Sequence, residues 1–252
     1  MDNTELKIVF DLAYKKLSEI SINDNFDREI TERRTRVFDK NKPDSYFFEH
    51  MVRAILNAGM KATVVTNKMP YVRKAFFDFD VDKVSVLRLE SLLSNPQIIH
   101  YERKMRDCIA NAGKIKKISE EFGSFGEFLN ENQKTSTILK GELMKFGSIG
   151  RAVVLDYLKN IGMDFVKPDV HILRVFSRLG LIDSEASFYP AINAAESFKQ
   201  ATAERLSVID AVFWMYGSGG DGHLSKAMCS KNNPLCNECP LTGYCTIKAE
   251  RS

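Results

Sequence analysis

Two helical stretches, near 136–146 and 151–161, are joined by the segment Phe146-Gly147-Ser148-Ile149-Gly150-Arg151. Two glycines around a short apolar turn predict a hairpin between helices, and a glycine that merely ends a helix is the alternative explanation. A hairpin of this kind leaves the first amides of the second helix without intrahelical acceptors. With the positive end of the helix dipole, those amides form a site for a phosphate.

A second short segment follows the hairpin and reads Pro168-Asp169-Val170-His171-Ile172-Leu173-Arg174-Val175. Apolar positions after Asp169 recur with a helical period, so a helix is predicted near 170–179. An aspartate that follows a proline at the start of a helix is most simply an N-cap. The pattern by itself predicts a capped helix.

The C-terminal segment contains a compact cysteine cluster with the spacing C-x6-C-x2-C-x5-C: Cys229, Cys236, Cys239 and Cys245. Two disulfides, a zinc site and an iron–sulfur cluster are the alternatives. Nothing else in the sequence indicates an oxidising compartment. Structural zinc sites usually use two CxxC-like knuckles, whereas this loop has one, so the spacing favours an iron–sulfur cluster. Cys108 lies in a predicted helix, and we expect it to be a buried apolar residue.

These three features resemble the helix-hairpin-helix DNA glycosylases. The cysteine spacing, with Pro240-Leu241 after the third cysteine, is similar to the cluster loop of endonuclease III and the adenine-mismatch glycosylases. The string D-x-H-I-x-R-V from Asp169 to Val175 resembles endonuclease III nearly residue for residue. The hairpin resembles that of the superfamily, although Phe146 stands where proline is common. The resemblance implies a [4Fe–4S] cluster on the four cysteines and a catalytic role for Asp169, with His171 and Arg174 structural.

The implied reaction needs a carboxylate. Cutting an N-glycosidic bond passes through an oxocarbenium-like sugar, which a nearby negative charge stabilises. The same carboxylate can orient or deprotonate the attacking water. The base must first leave the stack, so the implied partner is double-stranded DNA that contains a damaged or modified base.

Contacts with DNA are expected at the hairpin and around the cysteines. The predicted phosphate-binding residues are Gly147, Ile149, Gly150, Arg151, Lys226 and Lys231, with Lys248 and Arg251 also near the cluster. Bifunctional members of the superfamily carry a lysine just after the hairpin, which forms a Schiff base with the sugar. Here the aligned residues are Arg151 and Ala152, which predicts a monofunctional glycosylase without strong lyase activity.

The middle of the chain, from Phe47 to about Phe128, is similar to the type I 3-methyladenine DNA glycosylases. Phe48-Glu49, Phe79-Asp80 and Asn111-Ala112 are among the matching pairs. In that family a glutamate and a tryptophan build the base pocket, and Ala54 and Ala62 occupy those positions here. The pocket is therefore expected to be roomier or lined differently. The candidate lining residues are Arg53, Asn57 and Met60.

The predicted fold is all-α, with two helical lobes, a helix-hairpin-helix motif and a C-terminal iron–sulfur loop. The expected domains are residues 1–46, an N-terminal helix and linker that pack with the C-terminal lobe; 47–165, a central helical barrel with the hairpin; and 166–252. Leu6, Val9, Phe10, Ala13, Leu17 and Ile20 share one helical face, and Phe47, Phe48, Met51, Val52, Ile55 and Leu56 share another. Residues 21–42 are polar and aperiodic, which indicates a linker.

Bulk composition is that of an ordinary globular protein. The 252 residues are 44% hydrophobic and 27% charged, with a net charge of +3 that does not itself indicate a nucleic-acid partner. Six basic residues against two acids between 101 and 117 fit a solvated helix face as well as a binding surface. No apolar run is long enough for a membrane helix, and the acidic N-terminus predicts no secretory signal. We expect a cytoplasmic monomer, nucleoid-associated in a bacterium.

Two non-enzymatic functions are kept beside the enzyme. A DNA-lesion-binding protein could retain this fold and cluster without activity, and the replaced pocket positions at 54 and 62 leave room for it. A zinc-stapled helical adaptor is the other. The expected colours differ, because an iron–sulfur protein is yellow-brown and a zinc protein is colourless.

Overall fold

The computed structural model describes residues 1–246, and these are almost entirely helical. The helices are α1 (Asn3–Glu19), α2 (Asn25–Thr35), α3 (Asp44–Asn57), α4 (Ala62–Ala75), α5 (Val81–Ser85), α6 (Leu89–Leu93), α7 (Glu102–Phe122), α8 (Phe125–Asn132), α9 (Ser136–Leu143), α10 (Arg151–Asn160), α11 (Val170–Arg178), α12 (Phe188–Thr202) and α13 (Leu206–Ser218). No β-strand forms within residues 1–246, where the nearest feature is an isolated bridge between Ser21 and Leu224. The all-α prediction is confirmed. Across the same range, no helix has the length and apolarity to cross a membrane.

The chain forms two compact units. The terminal unit consists of Met1–Arg36 and Asp164–Ser252, and the central unit is Val37–Met163. The boundaries expected from the sequence fall after residues 46 and 165 instead. The segment after Arg36 packs within the central unit: the Phe38 ring lies 6.0 Å from that of Phe47, and Lys40 pairs with Glu127 at 2.9 Å. These contacts move the first boundary earlier.

The expected linker 21–42 contains a helix, α2, which corrects the sequence-based interpretation. This helix buries only Phe26 and Ile30. Its polar surface carries i,i+4 ion pairs, from Arg33 to Glu29 at 2.6 Å and from Arg36 to Glu32 at 3.1 Å. Two buried apolar residues are too few to show a helical period in the sequence.

The apolar faces expected for α1 and α3 form the interiors of the two units. In α1, the five residues from Leu6 to Leu17 on the expected face are buried, and Ile20 packs partly against the same core. In α3, all six expected positions are buried. Each helix thus contributes to the core of its own unit: α1 to the terminal unit and α3 to the central unit.

Candidate active site

The expected hairpin is a tight turn between α9 and α10. Phe146 and Ile149 are buried in the central unit, and Ser148 between them has the left-handed φ of 59°. Gly147 has no room for a side chain, because a Cβ there would lie 2.7 Å from Cγ of Asp107. Packing therefore demands glycine at 147, beyond any need to end a helix.

The turn is held in place by α7. Asn111 is fully buried; its Oδ1 accepts from the Gly147 N–H at 2.8 Å, and its Nδ2 donates to the Gly147 carbonyl oxygen at 2.9 Å. The Ser148 hydroxyl donates to Oδ2 of Asp107. A buried peptide group that is hydrogen-bonded on both sides is costly to disturb, so the turn is preorganised.

Helix α10 begins with a glycine cap. Gly150 has extended backbone angles (φ −95°, ψ −179°) and, as the N-cap residue, contributes no side-chain hydrogen bond to the first turn. A Cβ at Gly150 would meet nothing within 4 Å, so the approach to the first turn is open. Amides at the positive end of a helix attract anions, and Arg151 is exposed at the first helical position. This end of α10 can bind a phosphate.

Helix α11 begins with a carboxylate cap. Oδ1 of Asp169 accepts from the amides of His171 at 2.9 Å and Ile172 at 3.1 Å, and the residue is half-buried. Within residues 1–246, Oδ2 has no hydrogen-bond partner. The N-cap interpretation is correct, but it uses only one of the two oxygens. The other remains available to a reacting group.

Arg174 connects the first turn of α11 to two distant segments. The buried guanidinium donates Nε to the Cys229 carbonyl oxygen at 3.0 Å and Nη2 to the Gly217 carbonyl oxygen at 2.8 Å. Nη2 also lies 3.0 Å from Nδ1 of His171, and Nη1 lies 3.4 Å from the Val170 carbonyl oxygen. Burial lowers the pKa of Arg174, which neighbouring acidic groups and Cys229 oppose. The contacts are those of a structural residue.

The cysteine segment follows α13 in the terminal unit. Its four members, Cys229, Cys236, Cys239 and Cys245, are half-buried free thiols. Nη1 of Arg178 donates to Sγ of Cys229 at 3.2 Å, and the Tyr216 hydroxyl lies 2.9 Å from Sγ of Cys239. Burial raises the pKa of the Cys229 and Cys239 thiols, against the lowering effects of Arg178 and Tyr216. Both sulfurs thus face donors, as metal-bound thiolates do.

Two further facts concern the cysteines. Within residues 1–246, no group of three or more His, Cys, Asp or Glu side chains is arranged to hold a metal ion. The iron–sulfur cluster therefore stays a prediction. Cys108 is fully buried in α7, and burial raises its pKa to about 12, as expected for a residue that acts as an apolar side chain.

Comparison with known proteins identifies the family. The model of the methyladenine glycosylase family matches residues 38–187, which include both the hairpin and Asp169. The chain belongs to the methyladenine glycosylase family. It is thus a DNA glycosylase of the helix-hairpin-helix superfamily, as the sequence motifs predict.

Relatives of this glycosylase span most of its length. A protein of Methanocaldococcus jannaschii described as a DNA repair glycosylase is 25% identical over 179 residues, 66% of this chain and 76% of the relative. The 8-oxoguanine DNA glycosylase/AP lyase of Korarchaeum cryptofilum is 24% identical over 199 residues, 76% and 90% of the two chains.

Solved structures show the same fold. A trapped endonuclease III–DNA covalent intermediate superposes with a TM-score of 0.64 at 15% identity and covers 100% of this chain and 99% of its own. The Methanocaldococcus jannaschii 8-oxoguanine DNA glycosylase gives 0.57 at 23% identity, covering 82% and 94%. The fold therefore extends beyond the family match, into the cysteine segment.

The expected pocket residues of this glycosylase lie at the end of α3 and just after it. Arg53, Asn57 and Met60 are all half-buried. Oδ1 of Asn57 is buried without a hydrogen-bond partner in the described part of the chain. Lys104 donates Nζ to the carbonyl oxygens of residues 56 and 58, at 3.3 and 2.5 Å, which holds the end of this helix.

The expected phosphate-binding lysines differ in their surroundings. Lys226 forms an ion pair with Glu238, so its charge is already offset. Lys231 is exposed, and its carbonyl oxygen accepts from Arg178 at 3.1 Å. Lys248 and Arg251 lie outside the described residues.

In the basic stretch 101–117, Arg106 pairs with Glu102, Lys116 with Asp82 at 2.8 Å, and Lys104 is buried. Internal pairing therefore reduces the positive charge that this stretch presents.

Sequence reasoning missed the residues that shape the hairpin. Asn111 occupies the buried face of α7 beside Cys108, Ala112 and Ile115, and all four are fully buried. A polar residue among apolar positions of an amphipathic helix was the available signal. The partner could not be inferred, because Gly147 lies far along the chain.

Proposed function

We propose that this chain is a monofunctional DNA glycosylase, which hydrolyses the N-glycosidic bond of a damaged or modified base in double-stranded DNA and leaves an abasic site. The observation that carries the proposal is the carboxylate of Asp169, with one oxygen fixed by two amides and the other without a partner in residues 1–246. A fixed charge with a free oxygen suits a group that must act on a cationic transition state.

Hydrolysis begins with extrusion of the base, which the protein must support by holding the DNA backbone. The glycine-capped end of α10 and the exposed Arg151 are suited to bind a phosphate of the DNA backbone. The extruded nucleotide then has its sugar beside Asp169. As the bond to the base lengthens, positive charge develops on the sugar, and the free carboxylate oxygen stabilises it and orients the attacking water.

The absence of a lysine at the start of α10 supports monofunctional chemistry. Arg151 and Ala152 occupy the first two helical positions, and an arginine retains its proton and cannot form a Schiff base. The Korarchaeum relative is described as a glycosylase/AP lyase, and the proposed monofunctional chemistry would distinguish this chain from that relative.

For the cysteine loop, we propose a [4Fe–4S] cluster on Cys229, Cys236, Cys239 and Cys245. Support comes from the compact spacing and from the donors directed at two of the sulfurs, Arg178 and Tyr216. Such a cluster would stabilise the loop that carries Lys226 and Lys231. Iron and sulfide in the purified protein, lost in Cys236→Ser, would support the proposal, and stoichiometric zinc without iron would contradict it.

The base that the enzyme excises is best identified with a panel of duplexes that each carry a different modified base. We propose that the enzyme acts as a monomer. It is incubated with duplexes that carry 8-oxoguanine, methylated purines, ethenoadenine, uracil or a bulky modified pyrimidine. Each reaction is then divided into one sample treated with alkali and one left untreated. Strand breaks only after alkali are expected for at least one lesion. Breaks without alkali, trapped by borohydride as a protein–DNA adduct, would contradict the monofunctional assignment. Tight binding without any excision would favour a non-catalytic lesion-binding protein.

A further inference from the structure

Helix α13 has one side chain that departs from its surroundings. Residues 206–213 and 215–217 are buried, while Trp214 between them is only half-buried. It is the single tryptophan of the chain. Across residues 1–246, its indole takes part in no hydrogen bond and no aromatic ring pair. The side chain packs against the core of the terminal unit and is partly accessible.

The chain that leads to Asp169 runs along one stripe of α13. The Ser207 amide donates to Oδ1 of Asp164 at 3.3 Å. One turn later, Oδ1 of Asp210 accepts from the Lys167 amide at 2.7 Å.

At the far end of the helix, a Cβ on Gly217 would lie 3.1 Å from Cβ of His171. Positions 207, 210, 214 and 217 are spaced by three, four and three, so they share a helical face.

This register sets Trp214 opposite Asp169. Position 214 lies between 210 and 217 on the stripe, and Asp169 lies between Lys167 and His171 on the segment that follows it. The two runs are comparable in length, since seven helical residues rise by about 10 Å and the segment from Lys167 to His171, which enters the first turn of α11, spans at most about 13 Å. The half-buried Trp214 therefore belongs to the part of α13 that faces the Asp169 segment.

We propose that Trp214 is the stacking surface for the extruded base. The inference rests on the proposed function, because Asp169 acts at the sugar carbon that bears the base, and the base must then lie one bond away. Enzymes that extrude a base hold it against aromatic side chains, and stacking suits any base because each has a π-face. The ligand class is thus a planar nucleobase, held by its face rather than read by its edge.

The first test uses the fluorescence of this tryptophan, which reports on position 214 alone. Full-length Asp169→Asn protein, whose excision should be about 10²–10³ slower, is titrated with duplexes carrying 8-oxoguanine, ethenoadenine or uracil. A matched duplex with a tetrahydrofuran abasic analogue serves as the control, and labelled-DNA anisotropy shows that each duplex is bound. Emission should fall by about half or more with at least one lesion and much less with the base-free duplex. Equal changes with both, or none with any bound duplex, would overturn the proposal.

The second test compares Trp214→Phe with Trp214→Leu. Phenylalanine keeps a stacking face, whereas leucine keeps apolar bulk alone. Stacking per base is commonly worth a factor of roughly 5 to 150 in affinity. Trp214→Leu should therefore lose about tenfold or more in affinity for the lesion duplex with little change for the base-free duplex, and Trp214→Phe should stay within about threefold of the parent. Equal losses on both duplexes with a lower melting temperature would show a packing role and overturn stacking.

These outcomes separate the inference from the function on which it rests. If the wild-type enzyme excises no base in the panel, the proposed function fails, while the fluorescence and affinity measurements still report on binding. If the enzyme excises a base but the Trp214 emission does not change, the stacking proposal is contradicted and the proposed glycosylase function stands. No preference for any lesion duplex over the base-free duplex would also defeat stacking.

Discussion

Two helices of this protein begin in opposite ways. Helix α10 starts at Gly150, which contributes no side chain to the amides of its first turn, and α11 starts at Asp169, whose carboxylate accepts from two of them. Both N-termini carry the same backbone amides and the same positive dipole end. The cap residue alone makes one end a site for an anion and the other a fixed negative charge.

On the proposed function, the two helix ends would serve two different steps of the reaction. An uncapped end binds phosphate, because the ligand supplies the missing acceptor. A carboxylate cap satisfies the helix internally and leaves its second oxygen to stabilise a cation. Exchanging or deleting the caps should therefore separate DNA binding from chemistry.

The largest effect is expected from Asp169→Asn. Asparagine caps a helix as well as aspartate, so the melting temperature should hardly change. Removing the charge should lower the single-turnover excision rate by about 10²–10³, or roughly 3–4 kcal/mol. Asp169→Ala is the control that also loses the cap, at a further cost of about 1 kcal/mol in stability. Full activity in a stable Asp169→Asn protein would show that the residue is only a cap.

The second variant gives α10 the cap of α11. A side chain at 150 meets nothing within 4 Å, so Gly150→Asp should fold and its carboxylate should bond the first amides. Hydrogen bonds to a charged phosphate are worth about 1.5–3 kcal/mol, so DNA affinity should fall by roughly 10- to 100-fold. Gly150→Asn should hydrogen-bond the same amides without adding charge, so its DNA affinity should fall less. Unchanged affinity in both variants would remove α10 from the DNA interface.

The third variant loosens the turn before α10. Asn111→Ala leaves the Gly147 amide and carbonyl buried without their partner, which should cost about 1–3 kcal/mol in the free energy of unfolding. DNA affinity should weaken as well, since the turn is no longer preorganised. Asn67→Ala, at an exposed position of α4, is the matched control and should be nearly silent in chemical denaturation. Equal stability of the two variants would mean that Asn111 is dispensable for the turn.

The smallest effect concerns salt dependence. Arg151→Ala should flatten the slope of log affinity against log salt by about one unit, as expected for the loss of one phosphate contact. Lys226→Ala should change the slope by well under one unit, because Glu238 already offsets that charge. Binding measured from low to moderate salt distinguishes them. A larger change for Lys226 would show that its ion pair opens when DNA binds.

Much of the fold was readable from local pattern. The buried faces of α1 and α3 follow the apolar period residue by residue, because each helix must turn one stripe toward a core. Asp169 was recognised as a cap for the same reason, since capping depends on neighbours two and three residues away. Helix α2 could not be predicted in this way, because its surface carries ion pairs and it buries only two residues, which leaves no apolar period.

The sequence by itself determined the all-α class, the hairpin, the carboxylate cap and the cysteine spacing, all of which depend on residues close along the chain. Only the tertiary structure decided that Asn111 holds Gly147, that Glu238 offsets Lys226, and that the segment carrying Asp169 runs along α13. Those pairings join segments distant in sequence. Their partners follow from how helices pack, and packing is set by the whole core rather than by any local pattern.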